Sequence, residues 1–190
     1  MLLFVMILLM DSFDIKKFIK KPAVIIVSAI LVMVLIFSVV FGGGDGQDPS
    51  AKASKNLSNR HQALVTLIDQ YSPGVRSATL KANLSQVSII LTADKNEIDA
   101  YIKATSQPGK KITATFSVKP SKELIQKLDK AKIANNLDSE IKTVVESELN
   151  AIGSATEKMK RDFPGEAKLV ALADRLILNT QTMLIRLSES

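Results

Sequence analysis

Apolar residues fall along this chain in two patterns. Ala23 to Phe41 is an unbroken uncharged run, with Ser28 and Ser38 as its only hydroxyls. Beyond a glycine-rich stretch, apolar residues return at spacings of three and four. Leu57, His61, Leu64, Ile68 and Tyr71 predict an amphipathic helix over about 55–71. Leu80, Leu84, Val87 and Leu91 predict a second helix from near Val75. Asp94 and Glu97 have the spacing of a capping box, so this helix either runs on or breaks near Thr92 and restarts through Ile98 to Lys103. Leu124, Leu128 and Ala131, then Ile141, Val144, Val145, Leu149 and Ile152, predict a helix from Pro120-Ser121 to about Lys160, with a bend or break at Asn135-Asn136 ahead of Asp138. Leu169, Leu172, Leu176, Met183 and Leu187 predict a last helix over about 165–187. Pro-Gly steps at 73–74, 108–109 and 164–165 mark turns. One segment has period two. In KITATFSV, Ile112, Ala114, Phe116 and Val118 alternate with Thr113, Thr115 and Ser117. No second strand offers itself as a partner, so the segment is expected to be an extended connector with one face on the helices.

These patterns predict an all-α protein: an N-terminal transmembrane helix, then an antiparallel bundle of four or five helices with one extended connector. Nineteen helical residues span about 28 Å, close to the roughly 30 Å hydrocarbon core of a bilayer. The run exceeds the about 7–15 apolar residues of a cleaved signal, and Val39-Val40-Phe41 gives no small-x-small cleavage site, although cutting after Gly42 or Gly43 stays open. Lys16, Lys17, Lys20 and Lys21 precede the run, and Asp45 and Asp48 follow it, which favours a cytoplasmic N-terminus. The expected organisation is a cytoplasmic tail over 1–21, a membrane helix over 22–41, a flexible linker over 42–54 and an extracytoplasmic helical domain over 55–190. The opening MLLFVMILLM is too short to span and has no basic flank. Either translation starts at Met10, or these residues lie in the inner membrane interface.

Charge refines this plan. Four of the 25 basic residues and two of the 19 acidic ones precede Gly44, which leaves 21 against 17 and a net charge of +4 beyond it. With no cysteine there is no disulfide scaffold, thiol chemistry or lipid-modified cysteine anchor. No tryptophan and two tyrosines leave little for a sugar- or base-stacking platform. Asn56-Leu57-Ser58 and Asn83-Leu84-Ser85 match the N-glycosylation pattern, a three-residue match that arises often by chance and carries little weight.

Catalysis needs a constellation, and the sequence shows none. His61 is the sole histidine and sits on an apolar stripe, where a bundle-edge role is expected. It has no second histidine or cysteine with which to build a zinc site. Gly42-Gly43-Gly44-Asp45-Gly46 follows an apolar helix and not a strand, so it reads as linker and not as a phosphate loop. No serine stands in Gly-x-Ser-x-Gly. The expectation is a protein that is not an enzyme and takes no cofactor or metal. Glu123 to Lys127, Asp138 to Lys142 and Glu157 to Arg161 are spaced as surface ion pairs. One asymmetry remains: Lys103, Lys110, Lys111, Lys119, Lys122, Lys127, Lys130 and Lys132 stand against Glu123 and Asp129, a local charge of +6. Its simplest meaning is a solvated surface, and its functional one a patch for an anionic polymer or lipid headgroups. With no arginine and few aromatics there, nucleic acid is disfavoured.

The segment NNLDSEIKTVVESELNAI resembles the third helix of ferritin-like bundles over fewer than twenty residues, but Glu-x-x-His is lacking and metal chemistry is not implied. As a whole the plan resembles small bacterial single-pass membrane proteins with an external helical domain. The reading is a membrane-anchored interaction or scaffold module of the cell envelope, pairing with an envelope protein or with itself through an apolar helix face. A polyanion-binding surface protein is one alternative. A sensory ectodomain is another; against it, an inner tail of at most about 21 residues is too short for a domain, so a sensor would have to signal through a membrane partner.

Overall fold

The computed structural model describes residues 48–106, 112 and 115–190. The charge-free run over 23–41 and its flanks lie outside them, as do Lys110 and Lys111. Among the described residues no helix is long and apolar enough to cross a membrane. The stripes read from the sequence become five helices and no strand in these residues: α1 Pro49–Tyr71, α2 Ala78–Thr105, α3 Lys122–Ile133, α4 Leu137–Asp162 and α5 Ala167–Ser188.

Local chemistry explains each boundary. Asp48 caps α1, its carboxylate accepting from the Ser50 N–H at 2.9 Å, and Pro49 occupies the first turn, where its missing N–H costs nothing. The helix therefore begins six residues before its expected start at 55, within the expected linker. Ser50, Ala51 and Ser54 are buried, so the stretch 49–54 belongs to the bundle, and its small polar composition reflects close packing. Ser77 and Ser121 cap α2 and α3 by accepting from Leu80 and Leu124, each at 3.2 Å. The expected break between α3 and α4 is present. Asn135 takes φ 57°, a conformation asparagine tolerates, and Asn136 N–H reaches back to the Ala131 carbonyl at 2.9 Å, which closes α3 in a Schellman turn.

Long-range bonds fix the arrangement. Ser58 on α1 donates to Asp99 on α2 at 2.6 Å, and Ser88 donates to Asp69 at 3.0 Å, so α1 and α2 are antiparallel. Asn83 bonds the Arg186 carbonyl and Tyr101 bonds Glu166, which sets α2 against α5, again antiparallel. The same holds for α4 and α5 through Lys160–Asp174 and Lys142–Ser190, and for α1 and α4 through Ser54–Met159. Around the bundle the order is thus α1, α2, α5, α4. The second and third bundle helices, α2 and α4, point the same way, which demands one long crossover. The connector and α3 make it, returning along α1. The shared core includes Leu64, Ile68, Leu84, Leu91, Ile98, Ile141, Leu149, Ile152, Leu176 and Met183.

Two expectations change in this frame. Helix α2 does not break, because Asp94 is turned into the bundle and does not cap a new start. The connector packs less of one face than its alternation implied: Ile112 lies against the core, but Phe116 and Val118 are 45 and 47 % exposed. Side chains of α1, and not a partner strand, bond its backbone at Thr115 and Phe116. Asn56 Oδ1 accepts from the N–H groups of Thr115 at 2.8 Å and Phe116 at 3.2 Å, and Asn59 donates to the Phe116 carbonyl at 2.7 Å.

Candidate functional site

The crossover leaves a groove between α1, residues 116–121 and the start of α3. Its volume is about 780 Å³, and its walls are largely apolar: Ala63, Leu64, Leu67, Leu124, Ile125 and the Phe116 ring. Arg60, Lys119 and Lys122 stand at its margin with Glu123 and Glu148. Arg60 lies over the Phe116 ring, 4.2 Å from guanidinium carbon to ring centre, so one cation also shapes the wall. At the end of α1, Tyr71 donates to Asp129 at 2.7 Å and ties α1 to α3. Burial and that carboxylate push the Tyr71 hydroxyl up to about 12, so it stays protonated as a donor.

Of the eight lysines singled out in the sequence, Lys119 and Lys122 meet at this groove. Lys103 lies at the C-terminal end of α2. On α3, Lys127 pairs with Glu140 of α4, Lys130 is exposed, and the Lys132 stem lies beside Gly74 of the α1–α2 turn. Helical spacing spreads the four α3 lysines around the helix, so they do not share one face with Lys119. Arg60 joins this cationic margin from a separate part of the sequence, where nothing local marked it.

Surface ion pairs inferred from spacing are partly replaced by tertiary ones. Lys127 chooses Glu140 over Glu123. Asp138 accepts from the backbone N–H groups of Arg76 at 3.0 Å and Ser77 at 2.8 Å, tying the α1–α2 turn to the start of α4, while Lys142 bonds the Ser190 carbonyl at 2.6 Å. Both sequon asparagines are engaged as well, Asn56 with the connector and Asn83 with the Arg186 carbonyl.

His61 is not at the edge of the bundle. It is fully buried, as is Asp94 on α2 to within 2 %. The His61 Nδ1 lies 2.8 Å from the Leu57 carbonyl, which can only accept, so Nδ1 carries the hydrogen. In the neutral ring Nε2 is then a lone pair, and it faces Asp94 Oδ2 at 3.9 Å. The other oxygen, Oδ1, accepts from Asn179 of α5 at 2.6 Å. Burial presses the imidazole down to about 4 and the carboxyl up to about 6, the Asn179 bond opposing the second shift. Among the described residues no group of three or more histidine, cysteine or acidic side chains is placed to hold a metal ion. Comparison with known protein families, with curated proteins and with solved structures gives no match.

Proposed function

We propose that this protein is a membrane-anchored, non-catalytic binding module of the cell envelope, whose bundle stands outside the membrane and holds one amphipathic helix of an envelope protein in the α1–α3 groove. The observation that carries the reading is the groove itself: an apolar floor of helical residues, lined by three cations, Arg60, Lys119 and Lys122, against two carboxylates, Glu123 and Glu148. A helix with an apolar stripe and acidic flanks is complementary to it. Helix-in-groove binding needs anchors and a charged margin but no reactive group. The uncharged run over 23–41 and its lysine-rich N-terminal flank support the anchor and its orientation. Protease added to intact spheroplasts is expected to remove the bundle, and full protection would reverse the topology.

A photoreactive residue at Ser117, which lines the groove, tests the occupant in living cells. The expected product is a crosslink to one acidic amphipathic peptide, identified by mass spectrometry and lost when Lys119→Glu and Lys122→Glu are combined. Both lysines are exposed, so charge reversal leaves folding intact. The same probe at exposed Gln181 on α5 is expected to miss that peptide. Crosslinks to lipid or anionic polymer alone, to a second copy of this chain, or equally from Gln181, would overturn the helix-docking reading.

A further inference from the structure

The His61–Asp94–Asn179 cluster lies away from the groove and has no part in the proposed docking. It joins three helices at mid-height, and it is incomplete. His61 Nε2 and Asp94 Oδ2 are both buried without a hydrogen-bond partner, although they face one another. Two acceptors cannot bond each other, so a single hydrogen between them is what the geometry lacks. Such orphaned groups are costly in a bundle interior, and a carboxylate facing a lone pair adds repulsion.

We propose that His61 and Asp94 form a latch closed by acid: one proton taken up on Asp94 Oδ2 donates to His61 Nε2 and completes a chain of hydrogen bonds from the Leu57 carbonyl on α1, through α2, to Asn179 on α5. Above the latch point the carboxylate is bare, the link between α1 and α2 is open, and Asn179 alone holds Asp94. The direction of both titrations fits. The Asp94 carboxyl is raised to about 6, so it gains its proton in mildly acid solution, and the imidazole, lowered to about 4, is still neutral there and able to accept.

The surroundings leave this pair to itself. On α2, Glu97 raises Asp94 through its charge, while Arg175 of α5, 2.8 Å from Glu97, offsets it. One turn further along α2, Asp99 is held down by Lys95 and Lys55 and bonded by Ser58 of α1. The polar side chain that α4 buries is Thr156, uncharged and bonded to its own Ile152 carbonyl, and Thr180 of α5 is likewise bonded to Leu176.

Linkage gives the sign of the effect. The folded Asp94 carboxyl titrates above its unfolded value of 3.8, so its contribution is fully present below about 4 and is lost as pH rises through about 6. The imidazole is lowered from 6.5, so its contribution is present above that value and is lost as pH falls toward 4. The two slopes oppose each other, and the native pair largely hides its own titration between pH 4 and 6.

Asp94→Asn separates them, because the amide keeps the Asn179 bond through its oxygen and donates a hydrogen permanently to Nε2. In the full chain in detergent, thermal and urea unfolding are expected to show D94N more stable than the native protein at pH 7.5. That advantage should shrink by about tenfold or more in the folding equilibrium constant at pH 4.5. The ¹⁵N signal of His61 Nε2 is expected to shift with a midpoint near pH 6 in the native protein and to stay flat over that range in D94N. A D94N protein that is unfolded or less stable at pH 7.5 would mean that the pair is an ion pair with its proton on histidine, which overturns the latch. An advantage that does not change with pH, or identical histidine signals in both proteins, would do the same.

Discussion

Leu91→Ala is expected to lower the free energy of unfolding by about 3 kcal/mol, whereas Ile89→Ala two residues earlier changes it by less than about 0.5 kcal/mol. Both are large aliphatic residues of α2, but Leu91 is fully buried and Ile89 is 66 % exposed. Alanine at 91 removes the transfer free energy of the side chain and leaves a hole between antiparallel helices that cannot close around it. Alanine at 89 removes contacts that water already shares. Thermal unfolding followed by circular dichroism reads the contrast as a fall of about 10 °C against almost none. Equal effects at the two sites would mean that α2 is rotated in the bundle or broken near Thr92.

The contrast also shows what periodicity can carry. The stripes Leu80–Leu91, Ile141–Ile152 and Leu169–Leu187 name helices and their buried faces correctly, because burial of one face is itself what sets the spacing. The break at Asn135-Asn136 was legible for a local reason, since asparagine readily takes the left-handed turn that ends α3. Polar residues whose partner lies far along the chain were not legible. Asp94 has the spacing of a cap and is a buried partner of Asn179, 85 residues away. Asp138 looked like a surface charge and holds two backbone N–H groups 61 and 62 residues before it. Arg60 carries no local signal, yet it helps to build the groove margin where two of the eight lysines meet. Composition misled at 49–54 because serine and alanine serve a loose linker and a tight helix contact equally well.

Replacing residues 49–54 by a glycine-serine run of the same length is accordingly expected to cost at least about 2 kcal/mol. The change removes the first turns of α1 and the hydrogen bond of the Asp48 cap, worth about 1 kcal/mol. It also removes the buried methyl of Ala51, worth about 0.8 kcal/mol, and introduces glycines at up to about 1 kcal/mol each in a helix. Ser54, fully buried with its hydroxyl 3.7 Å from the Met159 sulfur, marks the contact with the end of α4 that would loosen. Chemical unfolding of the full chain measures the difference. No change in midpoint would return 49–54 to the linker.

The crossover has a consequence for assembly. Helices α1 and α2 form one hairpin and α4 and α5 another, and each buries its apolar face on the other through the α1–α4 and α2–α5 contacts. The two hairpins are joined through the stretch 106–121 and α3. Any hairpin of one copy is therefore as good a partner for the opposite hairpin of a second copy as for its own. In the single bundle the end of the joining stretch lies on α1, where Asn56 and Asn59 hold Thr115 and Phe116. Shortening that stretch until it cannot make the return should convert a single bundle into a pair of bundles with reciprocally exchanged halves, every core contact kept and the particle doubled in mass.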